Sequence, residues 1–134
     1  MNAYFPDNGL IFILQQLVAN NLKLHLFTNN YTPSDSTTLA NLTEAAFAGY
    51  GIQTLASGTW VSLGVSAHVG TLAYPPATFS NTSGGAVNVY GWYITDNANA
   101  ILVSVGLFDS APVSIPATTG SYTFIPTLGD LSQL

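Results

Sequence analysis

At Leu22 the spacing of the apolar residues changes, and that change constrains the fold more than any other feature of the chain. Before it, Leu10, Ile13, Leu14, Leu17 and Val18 recur at helical spacing and form one stripe. After it, Leu22, Leu24 and Leu26 alternate with Lys23, His25 and Phe27, the period of a strand with one apolar face. Glycine, proline and Asn/Asp/Ser clusters then break the chain at short intervals, which suits short strands and excludes long helices. The expectation is a mainly β fold: a single-domain β-sandwich or jelly-roll-like architecture over residues 1–134, with a short N-terminal α-helix at about residues 8–20.

The local signals fill in this plan. Asp7 or Asn8 is placed to cap the helix, and Asn20 and Asn21 to end it in the left-handed conformation. Ile11 and Phe12 widen the apolar stripe beyond what one sheet face needs. The segment from Asn29 to Thr38 is a polar loop, after which Ser36 or Thr37 caps a helical turn over Leu39 to Leu42. Thr43 to Phe47 forms a turn or an extended edge. Further strands are expected at Ile52–Leu55, Trp60–Leu63 and Val65–Val69, and Pro75-Pro76 forbids a continuous strand from Thr71 to Phe79. Ala86–Thr95 and Ala100–Phe108 read as a hairpin closed by Asp96-Asn-Ala-Asn99, with Ile101, Val103, Val105 and Leu107 inward. Tyr122–Pro126 is the last strand, and Leu128, Leu131 and Leu134 belong to a docked tail. No internal repeat or linker divides the chain.

Charge narrows the function. Lys23 is the only Lys or Arg among 134 residues, against six acidic residues, for a net charge of −5. Charged residues make up 5% of the chain, where about 25% is ordinary. A nucleic-acid binder neutralises phosphates with several cations, and a polybasic membrane signal needs them too; no nucleic-acid or membrane partner is expected. Leu10–Leu14 is apolar, but no cation precedes it as in a signal peptide, and it is far shorter than the ~20 residues that span a bilayer. With 48% hydrophobic residues and an aromatic content of seven Tyr, seven Phe and two Trp, the composition resembles that of subunit interfaces, which are poor in charge and rich in aromatics.

No constellation of residues announces chemistry. There is no cysteine, so disulfides and thiolate metal sites are excluded. His25 and His68 with a carboxylate could in principle bind a metal, but their spacing matches no ligand pattern. Asp96-Asn-Ala-Asn99 is a fragment of a calcium-loop pattern and reads better as an Asx turn closing a hairpin. Gly49-Tyr-Gly51 and Ser83-Gly-Gly85 lack the lysine and helix of a phosphate loop. Trp60, Tyr90, Trp92 and Tyr93 could stack on sugar rings, but their positions inside strands favour packing. No catalytic residue, cofactor or metal is expected.

Several short motifs then appear in order: a helix, Leu26-Phe-Thr-Asn29, Thr32-Pro-Ser-Asp35, the run from Leu39 through Leu42-Thr-Glu-Ala45 and Phe47 to Tyr50, Trp60, Val89-Tyr-Gly-Trp-Tyr-Ile-Thr-Asp96, and Leu107-Phe108 with the later Ile125-Pro-Thr-Leu128. Together they resemble a family of small structural proteins of tailed bacteriophage particles. Gly106-Leu107 stands where that pattern carries Arg or Lys. The resemblance implies a non-enzymatic virion protein assembled in the host cytoplasm, foremost a capsid decoration protein that stabilises the head shell. A tail, baseplate or neck component and a carbohydrate-binding attachment module are the alternatives. The implied partners are the chain itself, as a homotrimer, and the major capsid protein or other virion proteins. Structural and interface candidates are Phe12, Phe27, Asn29, Phe47, Tyr50, Trp60, Tyr90, Gly91 and Trp92. Phe27, Phe47 and Tyr50 are expected to hold the long loop against the sheet, and Gly91 to leave room for Trp60 or a second chain.

Overall fold

The structure, a computed structural model, describes residues 1, 3–4, 6–66, 69–118 and 120–129. It is mainly β, as expected, with one short N-terminal helix and several antiparallel sheets of the sandwich-like class. The chain forms two compact units: Met1–Asn21, Leu55–Ala77 and Phe124–Leu134 make the first, Leu22–Thr54 and Thr78–Thr123 the second.

In the first unit, helix α1 (Asp7–Leu17) packs on strands β3 (Val61–Ser66) and β4 (Val69–Ala73). Leu10, Leu14 and Val18, four residues apart, are buried, while Ile13 and Leu17 are half-buried and Phe12 faces out at 59% exposure. Each such aliphatic burial stabilises by about 1.5–3 kcal/mol. The helix begins one residue earlier than expected. Pro6 is its N-cap, and Pro6 O accepts from Gly9 N and Leu10 N, so Asp7 is the first helical residue rather than the cap. A carboxylate in the first turn still complements the helix dipole. The expected left-handed asparagine stop is not used. Val18 closes the helix with φ −84°, and Asn21 Oδ1 accepts from Ser57 N at 2.9 Å. Strand β4 lies between β3 and β11 (Thr127–Gly129), so the expected tail turn supplies a strand. Leu131 and Leu134 lie outside the described residues.

The second unit is built on a four-stranded sheet ordered β2 (Gln53–Leu55), β1 (Leu22–Phe27), β7 (Gly91–Asp96), β8 (Leu102–Leu107), with β1–β7 and β7–β8 antiparallel. Two ribbons complete it: β5 (Ala77–Asn81) with β10 (Gly120–Phe124), and β6 (Val87–Val89) with β9 (Val113–Ile115). The expected Pro-Pro break falls between β4 and β5. Ala86–Thr95 is two strands, not one. At Tyr90 the chain leaves the β6–β9 ribbon and enters the main sheet, donating its N–H to Phe27 O and accepting from Phe108 N. Alternation continues through such a switch, so the sequence pattern conceals it.

The hairpin β7–β8 is present, but its inward set differs from expectation. Ile101 is 63% exposed and Leu107 41% exposed, because β8 is the edge strand and a bulge opposite Ile94–Thr95 changes its phase. Conversely, β1 is central and buried on both faces: His25 is 2% exposed and Phe27 0%, where one apolar face was expected.

Candidate functional site

The feature of the second unit that carries chemistry is a hydrogen-bonded cluster around His25. Register creates it. His25 lies opposite Tyr93, and the two rings stack with centroids 4.5 Å apart and planes 7° apart. Two residues along β7, on the same face, Thr95 Oγ1 lies 3.0 Å from His25 Nε2. On the other side, Glu44 Oε1 lies 2.8 Å from His25 Nδ1. Glu44 reaches this position because it bridges Phe27, with Ala45 N donating to Leu26 O at 2.9 Å and Thr28 N donating to Thr43 O at 2.9 Å.

Tyr50 completes the cluster. Its hydroxyl accepts from Leu26 N at 3.2 Å and donates to Glu44 Oε1 at 3.0 Å. Its ring lies 5.8 Å from Phe79 and 5.3 Å from Phe47. Gly49, at φ +89°, makes the bend before it, and a Cβ there would sit 2.6 Å from Ser80 O. Of Phe27, Phe47 and Tyr50, Tyr50 ties its segment to β1 through its hydroxyl, Phe47 packs on the Tyr50 ring, and the Phe27 ring lies against Gly91.

The protons are constrained. A 2.8 Å contact between Nδ1 and a carboxylate oxygen needs a proton between them, so Nδ1 carries it. Thr95 then has two arrangements. Its hydroxyl donates to Nε2, or it accepts from Nε2 and donates to Asp96 O at 3.0 Å or Asn99 Oδ1 at 3.3 Å. Burial raises the Tyr50 phenol above its ordinary range and pushes Tyr93 up to about 12, with the nearby Glu44 carboxylate adding to both.

Hydroxyl, imidazole and carboxylate in this order have the connectivity of an acyl-transfer triad. Access distinguishes the two. Thr95 is 1% exposed and His25 2%, with the Tyr93 ring lying on the imidazole. What the arrangement does is satisfy both nitrogens of a buried imidazole from two other parts of the chain and tie β1, β7 and the Glu44–Tyr50 segment together.

The other candidates are dispersed. Asn29 closes the long loop, donating from Nδ2 to Asn41 O and accepting Thr43 N at Oδ1. The helical turn at Leu39–Asn41 is capped by Thr38, not by Ser36 or Thr37: Asn41 N donates to Thr38 O, and Asn41 Oδ1 accepts from Thr38 N and Oγ1. Gly91 faces the Phe27 ring, not Trp60: a Cβ there would sit 2.7 Å from Phe27 and 2.1 Å from Gly106 O. Trp92 covers Gly106, Tyr90 is half-buried, and Trp60 packs edge-on against Tyr74 in the first unit at 5.2 Å. Trp60 and Trp92 thus each make a contact within the chain. Phe12 is exposed on α1.

Asp96 forms the expected Asx turn. Its Oδ1 accepts from Ala100 N and Ile101 N, and these amides, Ile101 foremost, hold its carboxyl below the ordinary value. His68 lies outside the described residues, and among the described residues no three potential ligands cluster for a metal. No helix among them is long and apolar enough to cross a membrane.

Glu44 and Thr95 escaped the sequence reading because they lie 19 and 70 positions from His25. One signal was available: Glu44 is the only glutamate in a chain almost free of charge. Comparison with protein-family models, with curated proteins and with solved structures finds no match to this chain.

Proposed function

We propose that this chain is a non-enzymatic structural protein of a bacteriophage particle, with capsid decoration as its role. The observation that carries the reading is the surface. Large apolar side chains stand exposed, among them Phe12, Val61 and Ile125 at 56–59% in the first unit and Ile101 at 63% in the second. Lys23, the only Lys or Arg, is already hydrogen-bonded to Thr54 Oγ1 at 2.7 Å. A free monomer keeps itself soluble with mixed charge. Exposed apolar side chains on a surface with so little charge suit a chain that other subunits cover. The motifs shared with tailed-phage structural proteins support the same role, and the partners it assigns are further copies of the chain and the capsid shell.

The test is reconstitution. Purified protein mixed with expanded, undecorated heads should co-sediment at a fixed stoichiometry and raise the melting temperature of the shell. Light scattering on the protein alone reports the number of copies, three in the sequence-based expectation. A protein that stays monomeric and leaves every shell unbound rejects the role. Recovery with tails in place of heads moves it to the tail or baseplate.

A further inference from the structure

We propose that β8 is a self-pairing edge, on which a second copy of this chain adds its own β8 antiparallel across a two-fold axis. The proposal goes beyond the virion reading, and its test needs no capsid.

The main-chain geometry comes first. β8 ends the sheet, and no further strand lies beside it among the described residues. Phe108 N donates to Tyr90 O, and the pairing runs through Trp92–Gly106 and Ile94–Ser104. Hydrogen-bonding direction alternates along a strand, so these residues face β7 and the N–H and C=O groups of Val105 and Leu107 point away, with Val103 following at the bulge. An open row of this kind is a template for another strand.

Natural edges are protected by lysine, proline, extreme shortness, inward charges or bulges. β8 has a bulge at Val103, which leaves Ser104–Leu107 in regular register, and it has none of the other devices. It reads Leu-Val-Ser-Val-Gly-Leu, and no charged residue and no proline occurs from Asn97 to Phe108. The opposite edge strand, β2, has three residues, and Lys23 beside it bonds to Thr54 within it. The two edges of one sheet are therefore treated differently.

The ends of β8 choose the occupant. An antiparallel pair centred on Val105 sets Val105 against Val105 of the second copy, and Val103 against its Leu107. Leu107 is 41% exposed. At the other end of the strand a shallow groove of about 450 Å³ is lined by Thr37–Ala40 and Ala100–Leu102. Two-fold pairing brings the exposed Leu107 of each copy towards the groove end of the other, twice by symmetry. Two chains of net charge −5 repel one another, but the pairing segment itself carries no charge. A single added strand gives a modest interface, so the association should depend on concentration. Three-fold assembly through other surfaces is compatible with it, since dihedral symmetry contains both axes.

The chain has no cysteine, which makes the test clean. Val105→Cys lies on the axis, where paired Cα atoms stand about 5.5 Å apart, within disulfide range. Mild oxidation should give a covalent dimer joined at Cys of both copies. Ile52→Cys, exposed in the same unit, should give little under the same conditions. Val105→Pro removes one outward-facing N–H from each copy and should weaken association about tenfold or more in sedimentation, with the circular dichroism of the wild type. Equal cross-linking of the two cysteine variants overturns the proposal. So does wild-type protein that stays monomeric at millimolar concentration, or a folded Val105→Pro protein that associates as tightly as the wild type. Protection of the β8 amides only when another virion protein is added would assign the edge to that protein instead.

Discussion

Gly70 in β4 and Gly91 in β7 each lie beneath a bulky neighbour, yet their neighbourhoods differ in kind. A Cβ on Gly70 would meet the tips of Leu14 at 3.1 Å and Ile11 at 3.5 Å, both on α1. A Cβ on Gly91 would meet the carbonyl oxygen of Gly106 at 2.1 Å and the Phe27 ring at 2.7 Å. Side-chain tips can rotate away; a hydrogen-bonded strand cannot. In the first unit, α1 thus meets β4 through side-chain tips that can adjust. Each unit leaves a buried polar atom without a partner among the described residues, Trp60 Nε1 in the first and Asn81 Oδ1 in the second. The second unit is fixed by main chain and by a polar cluster with several members each holding another in place. Packing tolerates small adjustments, whereas a hydrogen-bond network and a backbone contact do not.

The largest expected effect tests this difference directly. Gly91→Ala should destabilise the protein by about 3 kcal/mol, the upper end of overpacking costs, read as a lower urea midpoint. A wild-type midpoint would break the comparison. Glu44→Ala comes next, at about 2 kcal/mol, because it leaves the His25 Nδ1 proton and the Tyr50 hydroxyl without their acceptor. Hydrogen exchange should localise the loosening to Thr28 and Ala45, whose amides hold this segment to the end of β1. Unchanged protection there would mean that the network is incidental.

Alkali should act on the second unit through the same cluster. Unfolded phenols ionise near pH 10, and Tyr93 is pushed up to about 12 in the fold. The unfolded chain therefore loses its protons first. The stabilisation is complete below about pH 10 and is lost as pH rises towards 12. Tyr93→Phe should flatten this part of the curve; an equally steep loss in the variant would place its cause elsewhere. Asp96 has the opposite sign: its lowered value stabilises above the ordinary 3.8 and is lost as pH falls through it.

In the first unit the effects should be smaller. Gly70→Ala should cost about 1 kcal/mol, since Leu14 and Ile11 can shift by a few tenths of an ångström. A cost as large as that of Gly91→Ala would erase the distinction between the units. Trp60→Phe should be smallest of all, within about 1 kcal/mol of neutral, because the lost ring area is offset by removal of a buried, unpartnered N–H.

How much of this was legible follows the range of each interaction. The helix stripe of Leu10, Leu14 and Val18, the Pro-Pro break and the Asp96 turn are written within a few residues of one another, and each was found. The Asn29–Asn41 tie spans 12 positions and was missed, although the loop it closes was recognised. The break at Tyr90 and the exposure of Ile101 and Leu107 depend on which strands lie beside them. Alternation records that a residue points to one side of a sheet; it does not record whether anything covers that side.

By itself, then, the sequence determined a charge-poor, mainly β chain with one amphipathic helix, because composition and local period act without reference to distant residues. The tertiary structure alone decided that Glu44 and Thr95 meet at His25, that Phe27 rests on Gly91, and that β8 is left at the edge. Those outcomes depend on strand order and register, which bring together positions tens of residues apart and which no local period specifies.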